Sequence, residues 1–249
     1  MRIIISPAKK MVDETDLLEY KDMPSFMEET HALLGYMQGL SYEEAKELWK
    51  CNDKIAELNY GRFQNMDLTR NLTPAILSYE GIQYQYMAPN VLDTDALTYI
   101  GEHLRVLSGF YGVLKPFDGI VPYRLEMQAK LAGHDSKNLY DYWSRKLADK
   151  LFEETDVIIN LASKEYSKCI SKYITEQHTF ITCVFGEVVN DKVREKSTQV
   201  KMARGEMVRF MAENQITDIE QIKTFDRFGF AFSQERSDET TFVFVKEGE

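Results

Sequence analysis

The chain has 249 residues, 44% hydrophobic and 12% aromatic, with no low-complexity tract; this supports one sizeable core and argues against lasting disorder. Thirty basic against forty acidic residues give a formal charge of −10, which on average repels nucleic acid and anionic membrane, so any polyanion site has to be local. Cys51, Cys169 and Cys183 form no C-x-x-C pair, which disfavours a disulfide framework and suits buried thiols in a reducing cytoplasm.

The start, Met1 to Pro7, has too short an apolar run for a signal peptide, and no later stretch approaches the length of a bilayer span. A cytoplasmic protein with no membrane partner is expected. Arg2 to Ile5 is a β-branched run stopped by Ser6-Pro7, and reads as a buried strand ending in a loop that carries Lys9 and Lys10. An acidic stretch follows (Asp13, Glu14, Asp16, Glu19, Asp22). Helical patterns then open at Pro24, at Ser41 with Glu44 completing a capping box, and at Asn52. The region from Thr73 to Gly101 reads as a short helix, an aromatic-rich run from Tyr79 to Met87, and a helix from Asp93 or Thr94.

Between Leu107 and Asp118, and again from Val121 to Met127, core periodicity gives way to turn-formers, aromatics and charges. Gly109 and Gly112 stand three apart, Pro116 precedes an aromatic, and Arg124 stands close to Glu126; such a segment asks for unusual dihedrals and a fixed frame. It reads as a built site in which Ser108, Gly109 and Tyr123 shape a pocket, Lys115 and Arg124 add charge, and Arg124 with Glu126 is a site pair or a structural ion pair. Asn138 caps a helix whose Leu139, Trp143, Leu147 and Leu151 recur every four residues as one apolar stripe.

Asp156 to Ser163 reads as a central strand, and Asn160, Ser163 and Tyr166, with Lys164, Glu165 and Lys168 among them, fall where open α/β sheets place ligand-binding groups. A strand over 178–189, a helix over 198–215, a shorter helix over 218–224 and a terminal hairpin from Phe228 to Val245 complete the chain. No linker or repeat divides it. The expectation is a single domain over residues 1–249, α/β (mixed α+β), with a central mixed sheet flanked by helices.

On a wheel at about 100° per residue, Lys201, Arg204, Gly205 and Arg209 share one arc, with Ala203, Met207, Phe210 and Met211 opposite. That face suits phosphate, with glycine admitting an anion to the backbone, and it equally suits a solvated amphipathic helix. His31, His103, His134 and His178 are widely separated and no His or Cys pair has zinc spacing, so no metal and no cofactor are expected. Gly109-x-x-Gly112 lacks the G-K-[ST] ending of a phosphate loop, and neither a G-x-S-x-G elbow nor a dinucleotide fingerprint occurs. No catalytic residue is assigned, and a non-enzymatic role is favoured.

Taken in order, Ile5-Ser-Pro-Ala-Lys9, Leu104-Arg-Val-Leu-Ser-Gly-Phe-Tyr-Gly-Val-Leu-Lys-Pro116, Pro122-Tyr-Arg-Leu-Glu-Met127, Asn160-Leu-Ala-Ser163 with Glu165-Tyr166, and Lys201-Met-Ala-Arg-Gly205 resemble the bacterial YaaA family of peroxide-stress resistance proteins. The resemblance runs over essentially the whole chain. It implies a cytosolic protein that protects against hydrogen peroxide by limiting free intracellular iron, with a family-specific α/β fold, a positively charged cleft and a helix-hairpin-helix-like element that binds duplex DNA. Ser41 to Phe63 is where that element is expected, although its connection at Cys51-Asn-Asp53 lacks a glycine-rich hairpin and Glu43, Glu44 and Glu47 make its first helix acidic.

Three readings follow. A DNA-associated protein would line one cleft with Lys9, Lys10, Arg105, Lys115, Arg124, Lys201, Arg204 and Arg209. An enzyme acting on a nucleotide or other phosphorylated small molecule would gather Ser6, Lys9, Arg124, Glu126, Asn160, Ser163 and Tyr166 around one pocket, with Glu126 as general acid or base. A protein-interaction module would show a large exposed apolar patch. A closed pocket favours the enzyme; a groove roughly 20 Å across favours DNA.

Overall fold

Ile3, Ile4 and Ile5 are wholly buried, and the strand that holds them has parallel neighbours on both sides. The computed structural model describes residues 1–13 and 17–247, so Glu14 and Asp16 of the acidic stretch lie outside the described residues. Its main sheet has eight strands: β1 (Arg2–Ile5), β2 (Leu104–Ser108), β3 (Gly112–Leu114), β4 (Val157–Leu161), β5 (Thr179–Val189), β6 (Lys192–Arg194), β7 (Ala231–Phe232) and β8 (Thr241–Glu247). The order across it is β7-β8-β5-β4-β1-β2-β3, with β6 beside β5.

The five central strands run parallel, with Ile3 opposite both Leu104 and Ile159, while β3, β6 and β7 are antiparallel additions. Strands buried on both faces read as continuous apolar runs, which is why β1 and β4 were visible without alternation. The terminal hairpin is present, Phe232 lying opposite Phe244. Successive strands flank β1 on opposite sides, β2 on one and β4 on the other, so the chain order reverses between β1 and β4. At such a point the loops leaving the two carboxyl ends diverge and open a crevice.

The helices are α1 (Met27–Gly39), α2 (Tyr42–Trp49), α3 (Asp53–Gln64), α4 (Ile82–Met87), α5 (Thr94–His103), α6 (Leu139–Trp143), α7 (Lys146–Phe152), α8 (Lys164–Ser171) and α9 (Ser197–Glu213), together with shorter turns. Capping chemistry starts several of them where expected. Ser41 and Glu44 form the reciprocal box, and Asn52, Asp93 and Asn138 each accept a backbone N–H of the first turn.

The stripe of Leu139, Trp143, Leu147 and Leu151 is fully buried, but two helices carry it. Ser144 adopts φ 44° and ψ −123°, a left-handed conformation that ends α6 before α7 begins. A serine held there stores strain of order 1 kcal/mol. Ser144→Gly is therefore expected to raise stability by about 1 kcal/mol, read as an upward shift of the urea midpoint at unchanged slope.

The segment from Leu107 to Asp118 is structural. It forms the β2–β3 hairpin, turning through Gly112 at φ +77°, with Phe110, Tyr111, Val113 and Leu114 buried. A Cβ on Gly109 would overlap the carbonyl of Leu125, so this glycine lets the extended 123–126 segment lie directly on the hairpin. The expectation that the hairpin itself lines the site is corrected: it is the support beneath.

Candidate anion-binding site

At the carboxyl ends of β1 and β4 lies a cavity of about 550 Å³. Five pieces of chain wall it: Ser6 to Lys10 after β1, Glu80 to Tyr84 entering α4, Tyr123 to Glu126, Ser163 with Glu165 and Tyr166 opening α8, and Lys201 with Arg204 on α9. Short bonds hold these pieces together. Ser6 Oγ accepts the Ser163 N–H at 2.8 Å and donates to Ser163 Oγ at 3.2 Å, while Tyr84 OH donates to the Ser6 carbonyl at 2.9 Å.

The 123–126 segment is pinned from below and from the side. Tyr123 OH bonds Ser108 Oγ at 2.6 Å and Tyr79 OH at 2.9 Å, and Trp49 Nε1 donates to the Arg124 carbonyl at 2.5 Å. Ser108 Oγ also accepts the N–H groups of Phe110 and Tyr111, which fills its lone pairs and directs its own proton to Tyr123. Burial pushes the Tyr123 phenol up to about 12, so it stays neutral and positions its neighbours.

The charges on the wall differ in how far they are satisfied. Glu126 is occupied at both oxygens, by Arg124 Nη2 at 2.9 Å and by Lys9 Nζ at 2.8 Å, and Lys10 pairs with Glu80 at 2.7 Å. Arg204 has no ion-pair partner among the described residues, its Nε is buried without a hydrogen bond, and burial lowers its pKa by working against its charge. The Nε of Arg124 is likewise buried and unbonded. Glu165 is held above the ordinary carboxylate range, chiefly by burial; the Glu126 charge adds to this, while the Gln128 N–H at 3.3 Å and Lys9 oppose it. The arrangement can hold an anion against fixed cations and can exchange a proton at Glu165.

A family model described as peroxide stress protein YaaA matches residues 1–236. Proteins printed as UPF0246 protein are similar over nearly full length: 58% identical in Lachnoclostridium phytofermentans, covering 99% of this chain and 96% of that one, and 56% in Desulfitobacterium hafniense, covering 99% and 98%. A third, from Pediococcus pentosaceus, is 50% identical over 99% and 98%. The chain belongs to the YaaA peroxide stress protein family.

In this YaaA family member, Ser6, Lys9, Lys10, Tyr123, Arg124, Glu126, Ser163, Tyr166, Lys201 and Arg204 are gathered at one cavity. The remaining expected residues lie elsewhere. Arg105 is buried, with Nε and Nη2 on Glu154 at 2.9 and 2.6 Å, and Lys115 pairs with Asp22 at 3.3 Å; both line a separate cavity at the amino-terminal edge of the parallel strands. Arg209 pairs with Glu213 one helical turn along α9 at 2.7 Å. Asn160 spends its amide on Thr182 Oγ1 at 3.2 Å and the Ala162 N–H at 3.0 Å, shaping the turn after β4. Ser108 and Gly109 sit under the site.

Gly205 has a packing role: a Cβ there would overlap the carbonyl of Gln83, so the glycine lets α9 touch the backbone of α4. Of the eight cations expected to line one cleft, Lys9, Lys10, Arg124, Lys201 and Arg204 stand at this cavity, while Arg105 and Lys115 line the other and Arg209 lines neither.

Sequence reasoning passed over Glu80, Gln83 and the part played by Glu165. Glu165 had a usable signal, being the carboxylate of the first turn of a helix that starts at a strand end. The expected DNA element, α2 with α3, turns through Lys50 at φ 47° and closes on a Lys46–Asp53 ion pair. Its flank opens onto a second cavity lined by Glu43, Glu44 and Glu47, and Glu126 belongs to both cavities.

Burial pushes the Cys169 and Cys183 thiols up to about 12, so neither is a nucleophile at neutral pH. Among the described residues no three His, Cys, Asp or Glu side chains stand together as a metal site, and no helix is long and apolar enough to cross a membrane.

Proposed function

We propose that this peroxide stress protein works in the cytoplasm by holding a phosphate-bearing small molecule in the β1–β4 crevice, and that its effect on intracellular iron is indirect, through that ligand. The observation that carries the reading is Arg204: a half-buried arginine whose Nε is buried and unbonded, facing the cavity beside Lys201. A desolvated cation without a counter-charge costs free energy that a bound anion returns. The cavity, at about 550 Å³, has the size of a small-molecule site. Glu126, bound at both oxygens, orients the wall, so the acid–base role expected of it passes out of this reading.

Calorimetric titration with ribose 5-phosphate tests this. Saturable binding is expected, and Arg204→Ala weakens it at least tenfold, the loss of a charge-assisted hydrogen bond. Absence of binding, or equal affinity in the variant, would overturn the reading.

Duplex DNA is the second reading. It is favoured by Lys9, Lys10 and Lys201, which are exposed at the rim of the same cavity. It predicts duplex affinity that falls steeply with salt and a slope that charge reversal of these lysines reduces.

A further inference from the structure

Two ionisable side chains of opposite sign line the cavity and neither is paired. Arg204 has no carboxylate within ion-pair distance among the described residues, Glu195 acting on it only from farther away, and Glu165 has only backbone N–H contacts, with no ion pair. They do not pair with each other. Apart from the exposed Lys201, the other charged wall groups are matched in place, Arg124 and Lys9 on Glu126 and Lys10 on Glu80. A cavity wall that carries one cation and one carboxylate without ion pairs is complementary to a ligand that carries an anion and a hydrogen-bond donor at separate places.

The rest of the wall gives the ligand's middle. Ile82, Tyr84, Tyr123, Leu125 and Tyr166 supply apolar and aromatic surface, which suits a flat ring system. A carboxylate has two oxygens and accepts two parallel N–H bonds, so the donor it selects best is an edge with adjacent N–H groups.

We propose that the ligand is a nucleoside 5′-monophosphate with a guanine-type base, its phosphate on Arg204 and Lys201 and its two adjacent N–H donors on Glu165. The inference rests on the phosphate-binding reading above and adds the other end of the ligand. An adenine presents an acceptor at the matching edge and leaves Glu165 opposite a lone pair. A sugar phosphate leaves the carboxylate unmatched altogether.

The charge state of Glu165 adds a second signature. Groups that face it are Glu126, which disfavours its ionised form, Lys9, which favours it, and the Tyr166 ring; on its own helix stand Lys164, Lys168 and the Cys169 thiol, and Tyr140 OH donates to its backbone carbonyl at 2.9 Å. Only the ionised carboxylate accepts both N–H groups. The preference for guanine therefore grows as pH rises through a window above the ordinary glutamate value. Phosphate ionisation is common to every probe and cancels in the ratio.

Titration of the full chain with guanosine 5′-monophosphate, adenosine 5′-monophosphate and ribose 5-phosphate tests the inference. The guanine nucleotide is expected to bind at least tenfold more tightly than the other two. Glu165→Gln removes that preference and its pH dependence while leaving ribose 5-phosphate affinity within twofold; Arg204→Ala weakens all three alike. Equal affinity for the three probes in the unsubstituted protein, or a preference that survives Glu165→Gln, overturns the base assignment while the phosphate reading stands. Failure of ribose 5-phosphate to bind, or its indifference to Arg204→Ala, overturns the phosphate reading itself. Circular dichroism and urea midpoints of each variant separate lost binding from lost folding.

Discussion

Gly205→Ala is expected to cost about 3 kcal/mol or more of stability, although alanine is the better helix former by about 1 kcal/mol. The added methyl falls on the Gln83 carbonyl, with the Met87 amide nitrogen at 3.0 Å, so the obstacle is the backbone of α4 and not a side chain that can rotate away. Relief requires α4 and α9 to separate. Gly35 and Gly61 are the natural controls, since nothing lies within 4 Å of a Cβ at either place. Gly35→Ala and Gly61→Ala should each stabilise by about 1 kcal/mol on propensity alone. Urea unfolding of the three variants checks the argument, and a Gly205→Ala protein as stable as its parent would refute the contact. The same variant should lose phosphate affinity, because α9 carries Arg204 and α4 carries Gln83 and Tyr84, all on the cavity wall.

Asp118→Asn is expected to stabilise the protein at pH 7 by about 2 kcal/mol, and the gain should vanish near pH 4. Asp118 is buried, Oδ2 accepts the Lys115 N–H at 2.8 Å, and Oδ1 has no partner. Burial raises its carboxyl from 3.8 to about 6. Between those values the folded state keeps a proton that the unfolded chain has lost. The contribution of Asp118 to stability is therefore fully present below about pH 4 and falls as pH rises past 6, by up to about 3 kcal/mol. Asparagine retains an acceptor for Lys115 and removes the charge. Urea midpoints at pH 4, 5, 6 and 7 should show a declining curve for the parent and a flatter one for the variant; a variant less stable at every pH would contradict the assignment.

What was legible in the sequence was local in cause. A β-branched run such as Ile3 to Ile5, or a Ser41–Glu44 pair three residues apart, fixes strand or cap chemistry within a few residues, and those elements stand where they were expected. Ser144 escaped notice because a left-handed serine leaves the four-residue apolar recurrence intact while ending the helix.

The site was legible as a set of loop ends and illegible as a balance of charge. Whether an arginine is free can depend on a partner far along the chain: Arg105 meets Glu154, 49 residues on, whereas Arg204 has no carboxylate within ion-pair distance among the described residues. Gly205 gave the same signal for two causes, since a helical glycine admits an anion or another backbone equally well. Only the position of Gln83, more than a hundred residues earlier, decides between them.

The buried thiols carry a consequence for a protein of the peroxide response. Hydrogen peroxide oxidises the thiolate, and a thiol with a pKa of about 12 is ionised to only about one part in 10⁵ at pH 7. Cys169 and Cys183 are also sealed from solvent, leaving the half-buried Cys51 as the most accessible of the three. These two thiols, which lie in the core beneath the site, are therefore poor targets for the oxidant that the family is named for.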